Sequence, residues 1–223
     1  MEQKKKLKEK APLYKVLKPI MSAFYKLYTH PKIIGKELIP KDGPIIVVGN
    51  HQHTFDQFAP MSSTKRVIHY MAKKEYFDGK HSLFSAGYNP TWFGRKFTKW
   101  LVRGAGCISV DRSKKDADAM EHAIEVLNNG WALGLFPEGT RNKTDALLLP
   151  FKFGAVSLAS KTNALIVPFG ITGDYKFRSK NLTVRFGEPF RVGDMPLAEA
   201  NEKLYKTVEG LMLKNMEEEK QGK

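Results

Sequence analysis

The chain has a single cysteine and no long hydrophobic run. Because Cys107 has no second cysteine to pair with among the 223 residues, an internal disulfide framework is excluded, and a reducing compartment is expected. No stretch of the sequence reaches the roughly 18 consecutive apolar residues of a membrane span. The N-terminus also lacks the uncharged apolar core of a secretory signal. We therefore expect a protein that is neither secreted nor membrane-spanning.

Several catalytic signatures are absent as well. The chain has no Gly-x-Ser-x-Gly elbow and no Walker or dinucleotide glycine pattern, so covalent serine catalysis and nucleotide use are unsupported. Cys107 could act as a thioester-forming nucleophile. However, it lies inside an apolar run, where a small buried hydrophobic residue is the commoner outcome.

Carboxylates are scarce relative to cations. The chain has 37 lysines and arginines against 23 aspartates and glutamates, a formal net charge of +14. Such an excess calls for an anionic partner, which could be nucleic acid, an anionic membrane or a phosphorylated substrate. Residues 1–36 contain ten lysines and two glutamates, so more than half of the excess lies in this N-terminal segment.

The N-terminal segment predicts a basic amphipathic helix. Its apolar residues recur at helical spacing, namely Leu13, Val16, Leu17, Ile20, Met21, Phe24, Leu27 and Tyr28. This apolar face could lie in a bilayer interface while the lysines meet anionic head groups, or it could pack on the core of the protein. We expect residues 1–40 to form a membrane-docking segment and residues 41–223 to form one domain.

The body of the chain alternates short apolar runs with helical patterns. Strands are predicted at 45–48, 67–72, 107–110, 133–136, 165–169 and 182–186. Helices are predicted at 57–62, 92–102, 116–129, 153–160 and 196–219. This alternation predicts an α/β fold in which helices flank a mainly parallel central sheet.

His51 and Asp56 follow the first predicted strand of this body. A five-residue step places two side chains roughly 140° apart on a regular helix, so the two residues can meet only across a bend. The sequence supplies one, since the buried run 45–48 ends at the turn signal Gly49-Asn50, and Thr54 could cap a following helix. A carboxylate bound to one imidazole nitrogen leaves the other nitrogen free to accept a proton from a hydroxyl group.

Three further polar clusters follow predicted strands, at 111–112, 137–141 and 168–170. Because ligands of open α/β sheets bind beyond the carboxyl ends of the strands, these clusters and His51 could converge on one site. A metal site built on His51, His53 and Asp56 is the weaker alternative, since the other histidines stand alone, and no metal is expected.

Two arginines of these clusters could bind a phosphate group. Arg112 and Arg141 lie in loops at strand ends, where a guanidinium can donate two parallel hydrogen bonds to phosphate oxygens. The alternative is a pair of surface salt bridges, Arg112 with Asp111 and Arg141 with Glu138. The basic chain and the shared sheet edge favour phosphate.

Four ordered motifs resemble the blocks of the glycerolipid acyltransferases, and of the bacterial lysophosphatidic acid acyltransferases in particular. They are Asn-His-x4-Asp at 50–56, Gly-Cys-Ile-Ser-Val-Asp-Arg at 106–112, Phe-Pro-Glu-Gly-Thr-Arg at 136–141 and Ile-Val-Pro-Phe-Gly-Ile at 166–171. The resemblance implies that His51 is a general base oriented by Asp56. It also implies that the glycerol phosphate is held by Arg112, Glu138, Gly139, Thr140 and Arg141. Asn142, where serine is frequent, and the second imidazole of His53 depart from the pattern, and the role of His53 stays open.

The resemblance further implies a reaction, its substrates and its location. The reaction is transfer of a fatty acyl group from acyl-CoA or acyl-carrier protein to the sn-2 hydroxyl of lysophosphatidic acid, which yields phosphatidic acid for phospholipid synthesis without a cofactor. The location is the cytoplasmic face of the cell membrane, with peripheral or monotopic attachment to an anionic surface. Glycerol-3-phosphate or an aminolipid is the alternative acceptor. The ordered motifs argue against a non-catalytic module that binds anionic surfaces and against nucleic acid.

Overall fold

The computed structural model describes residues 11–81, 91–111, 113 and 116–221. The strands of this part of the chain are β1 (Lys32–Ile34), β2 (Ile45–Gly49), β3 (Ile68–Lys73), β4 (Ile108–Val110), β5 (Ala132–Leu135), β6 (Leu165–Thr172) and β7 (Thr183–Phe186). They form one sheet in the order β1-β7-β6-β2-β5-β3-β4, in which only β6 and β7 pair antiparallel. The predicted α/β fold with a mainly parallel sheet is therefore confirmed.

Helices cover both faces of the sheet. They are α1 (Pro12–Thr29), α2 (Phe58–Ser63), α3 (Lys74–Phe77), α4 (Trp92–Gly104), α5 (Ala117–Asn128), α6 (Gly154–Thr162) and α7 (Leu197–Gln221), with a 3-10 turn at Lys36–Leu38. The longer elements match the predicted ones to within a few residues. The short elements β1 and α3 were not predicted, because three or four residues carry too little periodicity to be recognised.

The central strand β2 is buried on both faces and separates two helical layers. Ile45 and Val47 point into a core shared with Tyr25 of α1 and with α2, whereas Ile46 and Val48 point into a core shared with α5, α6 and α7. Helix α4 belongs to the first layer. It packs beside α1. The connections β2 to β3 and β3 to β4 move in the same direction across the sheet, so the right-handed rule for parallel strands places both on that face.

Helix α1 confirms the predicted N-terminal helix, and half of its apolar stripe stays exposed, which is one of the two alternatives that the sequence left open. The buried residues of α1 are Tyr14, Tyr25 and Thr29. Four members of the predicted apolar stripe point outward instead, and their exposed fractions are 63% for Val16, 60% for Ile20, 50% for Phe24 and 68% for Leu27. The helix therefore packs on the core through one face and leaves aliphatic and aromatic side chains exposed on another. The division of the chain at residue 41 stays a prediction.

Strand β6 differs from its predicted end. The sequence predicted a strand that stops at 169, with 168–170 as a loop at the sheet edge, but β6 continues to Thr172 and Gly170 pairs with Arg185 of β7. A Cβ atom at Gly170 would contact Met212 of α7. The 168–170 cluster is therefore part of the packed sheet and not a site loop, because the β-branched run that follows it extends the pairing with β7.

Candidate active site

His51 and Asp56 meet across the predicted bend. The chain leaves β2 at Gly49, and Asp56 lies in the turn that precedes α2. His51 Nδ1 is 2.9 Å from Asp56 Oδ2, and the exposed fractions of the two side chains are 19% and 1%. In the neutral tautomer whose Nδ1–H donates to this carboxylate, the second ring nitrogen, Nε2, carries no proton. The ring also stacks on Phe136, with ring centroids 4.2 Å apart.

Asp56 is held by four hydrogen-bond donors. Besides His51, its Oδ2 accepts the backbone N–H groups of Gln52 at 2.6 Å and His53 at 2.7 Å. Its Oδ1 accepts the hydroxyl of Tyr175 at 2.5 Å. Burial and the negative charge of Asp56 raise the pKa of Tyr175 well above its ordinary value, so the phenol keeps its proton and donates it to the carboxylate. The buried carboxylate is thereby fixed in position on both oxygens.

Thr54 does not cap α2 as the sequence predicted. The helix begins at Phe58 without a side-chain cap, because the turn 53–57 already supplies backbone hydrogen bonds to its start. Thr54 Oγ1 instead accepts a hydrogen bond from Arg141 Nη1 at 2.7 Å. This contact brings the exposed arginine beside the loop that carries His51 and Asp56.

Glu138 ties the Phe-Pro-Glu-Gly-Thr-Arg loop to the same segment. Its Oε1 accepts the backbone N–H of His51 at 2.7 Å, and its Oε2 accepts the backbone N–H of Leu149 at 2.9 Å. Glu138 is buried, and this burial raises the pKa of its carboxyl group above the ordinary value. The alternative salt bridge between Glu138 and Arg141 is not formed, and Arg141 donates to Thr54 instead.

Asn142 closes the loop from the other side. Its backbone N–H donates to the carbonyl oxygen of His51 at 2.7 Å. Its side chain accepts the N–H of Thr144 at 2.9 Å and donates to the carbonyl of Ala146 at 2.7 Å, an Asx turn that the sequence Asn-x-Thr could have indicated. Both backbone polar groups of His51 are thus fixed by the 138–142 loop.

Asn50, which the sequence indicated only as part of a turn, also positions the loop that carries His51. Its amide donates to the carbonyl of Ile171 at 2.9 Å and accepts the N–H of Ile171 at 2.8 Å. The backbone pairing of β2 with β6 ends at Gly49, and the Asn50 side chain adds these two hydrogen bonds to β6 beyond that point. It therefore fixes the direction in which the chain leaves the sheet toward His51.

The remaining predicted phosphate-binding residues lie on the same loop or outside the described residues. Gly139 has a left-handed backbone with a φ of +71°, and a Cβ at this position would lie 2.7 Å from Lys152 Nζ. Thr140 and Arg141 are exposed. Lys152, which was not predicted as a site residue, therefore places its ammonium group against this turn. Arg112 lies outside the described residues.

His53 has a different environment from His51. Its Nδ1 accepts the N–H of Phe55 at 3.2 Å, and its ring stacks on Tyr175 with centroids 4.4 Å apart. Burial lowers the pKa of His53 below its ordinary value, so the ring is neutral near pH 7. Over the ranges that the structure describes, no three His, Cys, Asp or Glu side chains are grouped so that they could hold a metal ion. His53 thus packs against the group that holds Asp56.

Cys107 and the aromatic residues of α4, which could have lined a channel for the acyl chain, lie apart from this loop cluster. Burial raises the pKa of the Cys107 thiol to about 12, so the sulfur is protonated at neutral pH and is a poor nucleophile. The aromatic residues of α4 lie on the protein surface, and Tyr88 falls outside the described residues.

A buried carboxylate that orients a partly exposed imidazole at the carboxyl edge of a mainly parallel sheet defines the site of an α/β enzyme that can deprotonate a hydroxyl group. The comparison with known proteins agrees with this class. Residues 30–172 match the acyltransferase family, and the chain belongs to that family. The expected enzyme class and the resemblance to the lysophosphatidic acid acyltransferases are confirmed.

Relatives with the name 1-acyl-sn-glycerol-3-phosphate acyltransferase occur in distant organisms. The Bacillus subtilis protein is 27% identical over 204 residues, which cover 89% of this chain and 93% of the relative. The Borreliella burgdorferi protein is 31% identical over 70% of this chain and 56% of its own length. The Saccharomyces cerevisiae protein is 35% identical over 61% of this chain and 41% of its own length. The chain thus spans about half the length of the last two relatives.

A solved structure has the same fold. The crystal structure of the 1-acyl-sn-glycerophosphate acyltransferase PlsC from Thermotoga maritima superposes with a TM-score of 0.65 at 23% sequence identity. The superposition covers 92% of this chain and 82% of that one.

Proposed function

We propose that this acyltransferase moves a fatty acyl group from a thioester donor, acyl-CoA or acyl-carrier protein, to the sn-2 hydroxyl of lysophosphatidic acid. The observation that carries the proposal is the 2.9 Å contact between His51 Nδ1 and Asp56 Oδ2, which leaves His51 Nε2 available as a base. The acceptor is suggested by the shared name of the relatives. The product would be phosphatidic acid.

The proposed reaction proceeds directly, without an acyl-enzyme. His51 Nε2 takes the proton of the acceptor hydroxyl while the hydroxyl oxygen attacks the thioester carbonyl carbon. The tetrahedral intermediate then collapses, the carbon–sulfur bond breaks, and the imidazolium returns the proton to the departing thiolate. Asp56 stabilises the imidazolium in between, and Tyr175 keeps Asp56 in place. No cofactor enters this sequence.

The acceptor phosphate is proposed to bind at the 138–141 loop together with Arg112. Thr54 holds Arg141 beside the base, and a guanidinium in that position can give two charge-assisted hydrogen bonds to phosphate oxygens. Gly139 and Thr140 form the turn that presents Arg141. Glu138 supports the loop through its backbone contacts, and its remaining lone pairs can accept a substrate hydroxyl.

The enzyme is proposed to work at an anionic membrane, at the cytoplasmic face. In the part of the chain that the structure describes, none of the helices combines the length and apolarity needed to cross a bilayer. The exposed side chains of Val16, Ile20, Phe24 and Leu27 on α1 support attachment to one leaflet.

The function is tested by incubating purified protein with lysophosphatidic acid and either acyl-CoA or acyl-carrier protein, followed by lipid chromatography. We expect phosphatidic acid with at least one donor, and slower acylation of glycerol-3-phosphate and of aminolipids. A faster reaction with either of the latter acceptors would reassign the substrate. No acyl transfer to any of them would overturn the proposal.

Arg141→Ala is expected to raise the KM for lysophosphatidic acid by about 10- to 100-fold, because it removes a charge-assisted hydrogen bond to the phosphate. The KM for the thioester should change much less. Initial rates at varied acceptor and donor concentrations measure both. The matched control is Lys143→Ala, which removes an exposed cation from the same loop. Equal changes in the two KM values would contradict a phosphate role for Arg141.

Tyr175→Phe is expected to lower kcat by about three- to tenfold while KM stays unchanged, because the variant loses the hydrogen bond to Asp56 Oδ1 and keeps the ring. Initial rates at varied acceptor and donor concentrations measure both constants, and a thermal unfolding curve measures stability. Tyr205→Phe on α7 is the control. An unchanged kcat together with a lower unfolding temperature would show that the Tyr175 hydroxyl serves stability only.

A further inference from the structure

Helix α4 presents large aromatic side chains to solvent. The exposed fractions are 63% for Trp92, 72% for Phe93 and 54% for Trp100. Their spacing places them along one side of the helix. The buried residues Thr98 and Val102 lie on the other side, which faces the protein interior. Two exposed tryptophans on one short helix are uncommon on a surface that faces only water.

Cations surround these aromatic side chains. A surface groove on α4 is lined by Arg95, Lys96, Lys99 and Arg103, and Asp78 from the turn after α3 is the one carboxylate among the described residues that line it. Lys96 Nζ lies 4.0 Å from the centre of the Trp92 ring. An aromatic face bordered by lysines and arginines is typical of helices that lie in a membrane interface.

Helices α1 and α4 lie in the same layer, so their exposed faces belong to one side of the molecule. The two helices are neighbours, and Leu13 of α1 packs against Gly104 of α4. Together they carry seven lysines and arginines and no carboxylate. The opposite layer differs in charge, since α5 and α7 carry nine carboxylates and four lysines. The helix pair α1 and α4 is therefore cationic, whereas the pair α5 and α7 is acidic.

We propose that the α1 and α4 layer docks as a unit on an anionic lipid bilayer, with α4 as a second interfacial anchor through Trp92, Phe93 and Trp100. Arg95, Lys96, Lys99 and Arg103 bind the anionic head groups around this anchor. The inference rests on the proposed membrane function and adds to it the surface and the orientation. The acidic layer of α5 and α7 faces away from the bilayer.

The topology places the aromatic end of α4 near the active site. Because α4 connects the parallel strands β3 and β4, it runs antiparallel to them, and its first residues lie at the carboxyl edge of the sheet. His51 follows β2 at that same edge. A bilayer that contacts Trp92 and Phe93 would therefore bring lipid substrates to the side of the sheet where His51 and Asp56 lie.

The bilayer is a better match for this surface than an acidic carrier protein. A carrier protein would account for the cations, but it would not account for the exposed aliphatic residues of α1 or the exposed aromatic residues of α4, which interfacial helices bury in lipid. The charge difference between the two layers also orients the whole molecule on a flat anionic surface.

Tryptophan fluorescence tests the proposal directly. Trp92 and Trp100 are two of the three tryptophans, and Trp131, which stacks on His69, is the third. In a full-length Trp131→Phe background, equimolar phosphatidylcholine and phosphatidylglycerol vesicles should shift the emission to shorter wavelength. Brominated acyl chains in the same vesicles should quench it. Emission that neither shifts nor quenches, although the protein binds the vesicles, would overturn the role of α4.

Vesicle sedimentation with matched variants supplies the second measurement. Trp92→Ser with Phe93→Ser and Trp100→Ser should raise the apparent Kd by about tenfold or more, and so should Lys96→Glu with Lys99→Glu. The controls on the opposite layer, Leu213→Ser with Met216→Ser and Lys206→Glu with Lys214→Glu, should bind as the unchanged protein does. Circular dichroism verifies that each variant is folded.

The outcomes separate this inference from the proposed reaction. If the α4 charge variants bind vesicles normally but raise the KM for acyl-carrier protein, the surface binds the donor and the bilayer assignment fails. If they bind vesicles normally but change the oligomeric state, the surface binds a second copy and the assignment fails. Acyl transfer in detergent micelles should be retained by all α4 variants. Absence of acyl transfer in the unchanged protein would overturn the reaction while leaving the vesicle results to decide the surface.

Discussion

His51→Ala is expected to lower kcat by about 10²- to 10⁴-fold, the usual contribution of a positioned general base. The variant should fold, because the contacts that hold this position run through its backbone, from its N–H to Glu138 and from its carbonyl oxygen to the N–H of Asn142. The KM for lysophosphatidic acid should change little, since the phosphate is proposed to bind elsewhere on the loop. Initial rates with both thioester donors measure the loss.

The matched control for this variant is His122→Ala, which removes an exposed imidazole from α5. Its kcat should equal that of the unchanged protein. His53→Ala provides a second comparison, and it should retain far more activity than His51→Ala because the His53 ring accepts the N–H of Phe55 and packs on Tyr175. A His51→Ala protein that keeps a tenth or more of the original kcat would remove His51 from the base position.

Asp56→Asn is expected to cause a loss of similar size, on the order of 10²- to 10⁴-fold in kcat. The amide oxygen can still accept the backbone N–H groups of Gln52 and His53, and the amide nitrogen can donate to Tyr175 in place of the present bond. The local structure should therefore survive, and the variant mainly loses the negative charge that stabilises the imidazolium of His51. Steady-state rates and a thermal unfolding curve separate these two effects.

The double variant of His51→Ala and Asp56→Asn sharpens this result. Two residues that act as a unit give losses that do not add, so the double variant should be about as slow as His51→Ala by itself. Asp194→Asn, an exposed carboxylate far along the chain, serves as the control. Independent losses that multiply in the double variant would show that Asp56 does not act through His51.

Local sequence patterns predicted most of the fold. The buried run that became β2 and the helical periodicity of α5 are strong signals, since each is repeated within a few residues. Strand β1 was missed because its three residues gain their structure from pairing with β7, about 150 positions later. The end of β6 was misplaced for the same reason, as antiparallel pairing with β7 extends a strand that a glycine had been expected to end.

The site was predictable only as far as its motifs reach. The spacing of His51 and Asp56 predicted the bend, and the shared sheet edge predicted the approach of the 138–141 loop. Tyr175 was missed because it contacts Asp56 across 119 positions and belongs to no motif. The role predicted for Thr54 was wrong. A threonine before a helix usually caps it, whereas the hydroxyl of Thr54 binds an arginine that lies 87 positions away in the sequence.

The packing of Tyr25 has a practical consequence for work on this enzyme. Tyr25 lies on α1 and is buried in the same core as β2, and its ring packs at a tilted angle against that of Tyr175, with ring centroids 6.5 Å apart. Deleting the N-terminal helix to obtain a water-soluble enzyme would therefore leave a hole beside the residue that holds Asp56. A variant with a less apolar surface is better made by exchanging the outward side chains of Ile20 and Phe24 for polar ones, because the helix proposed to meet the lipid also packs in the core behind the carboxylate of Asp56.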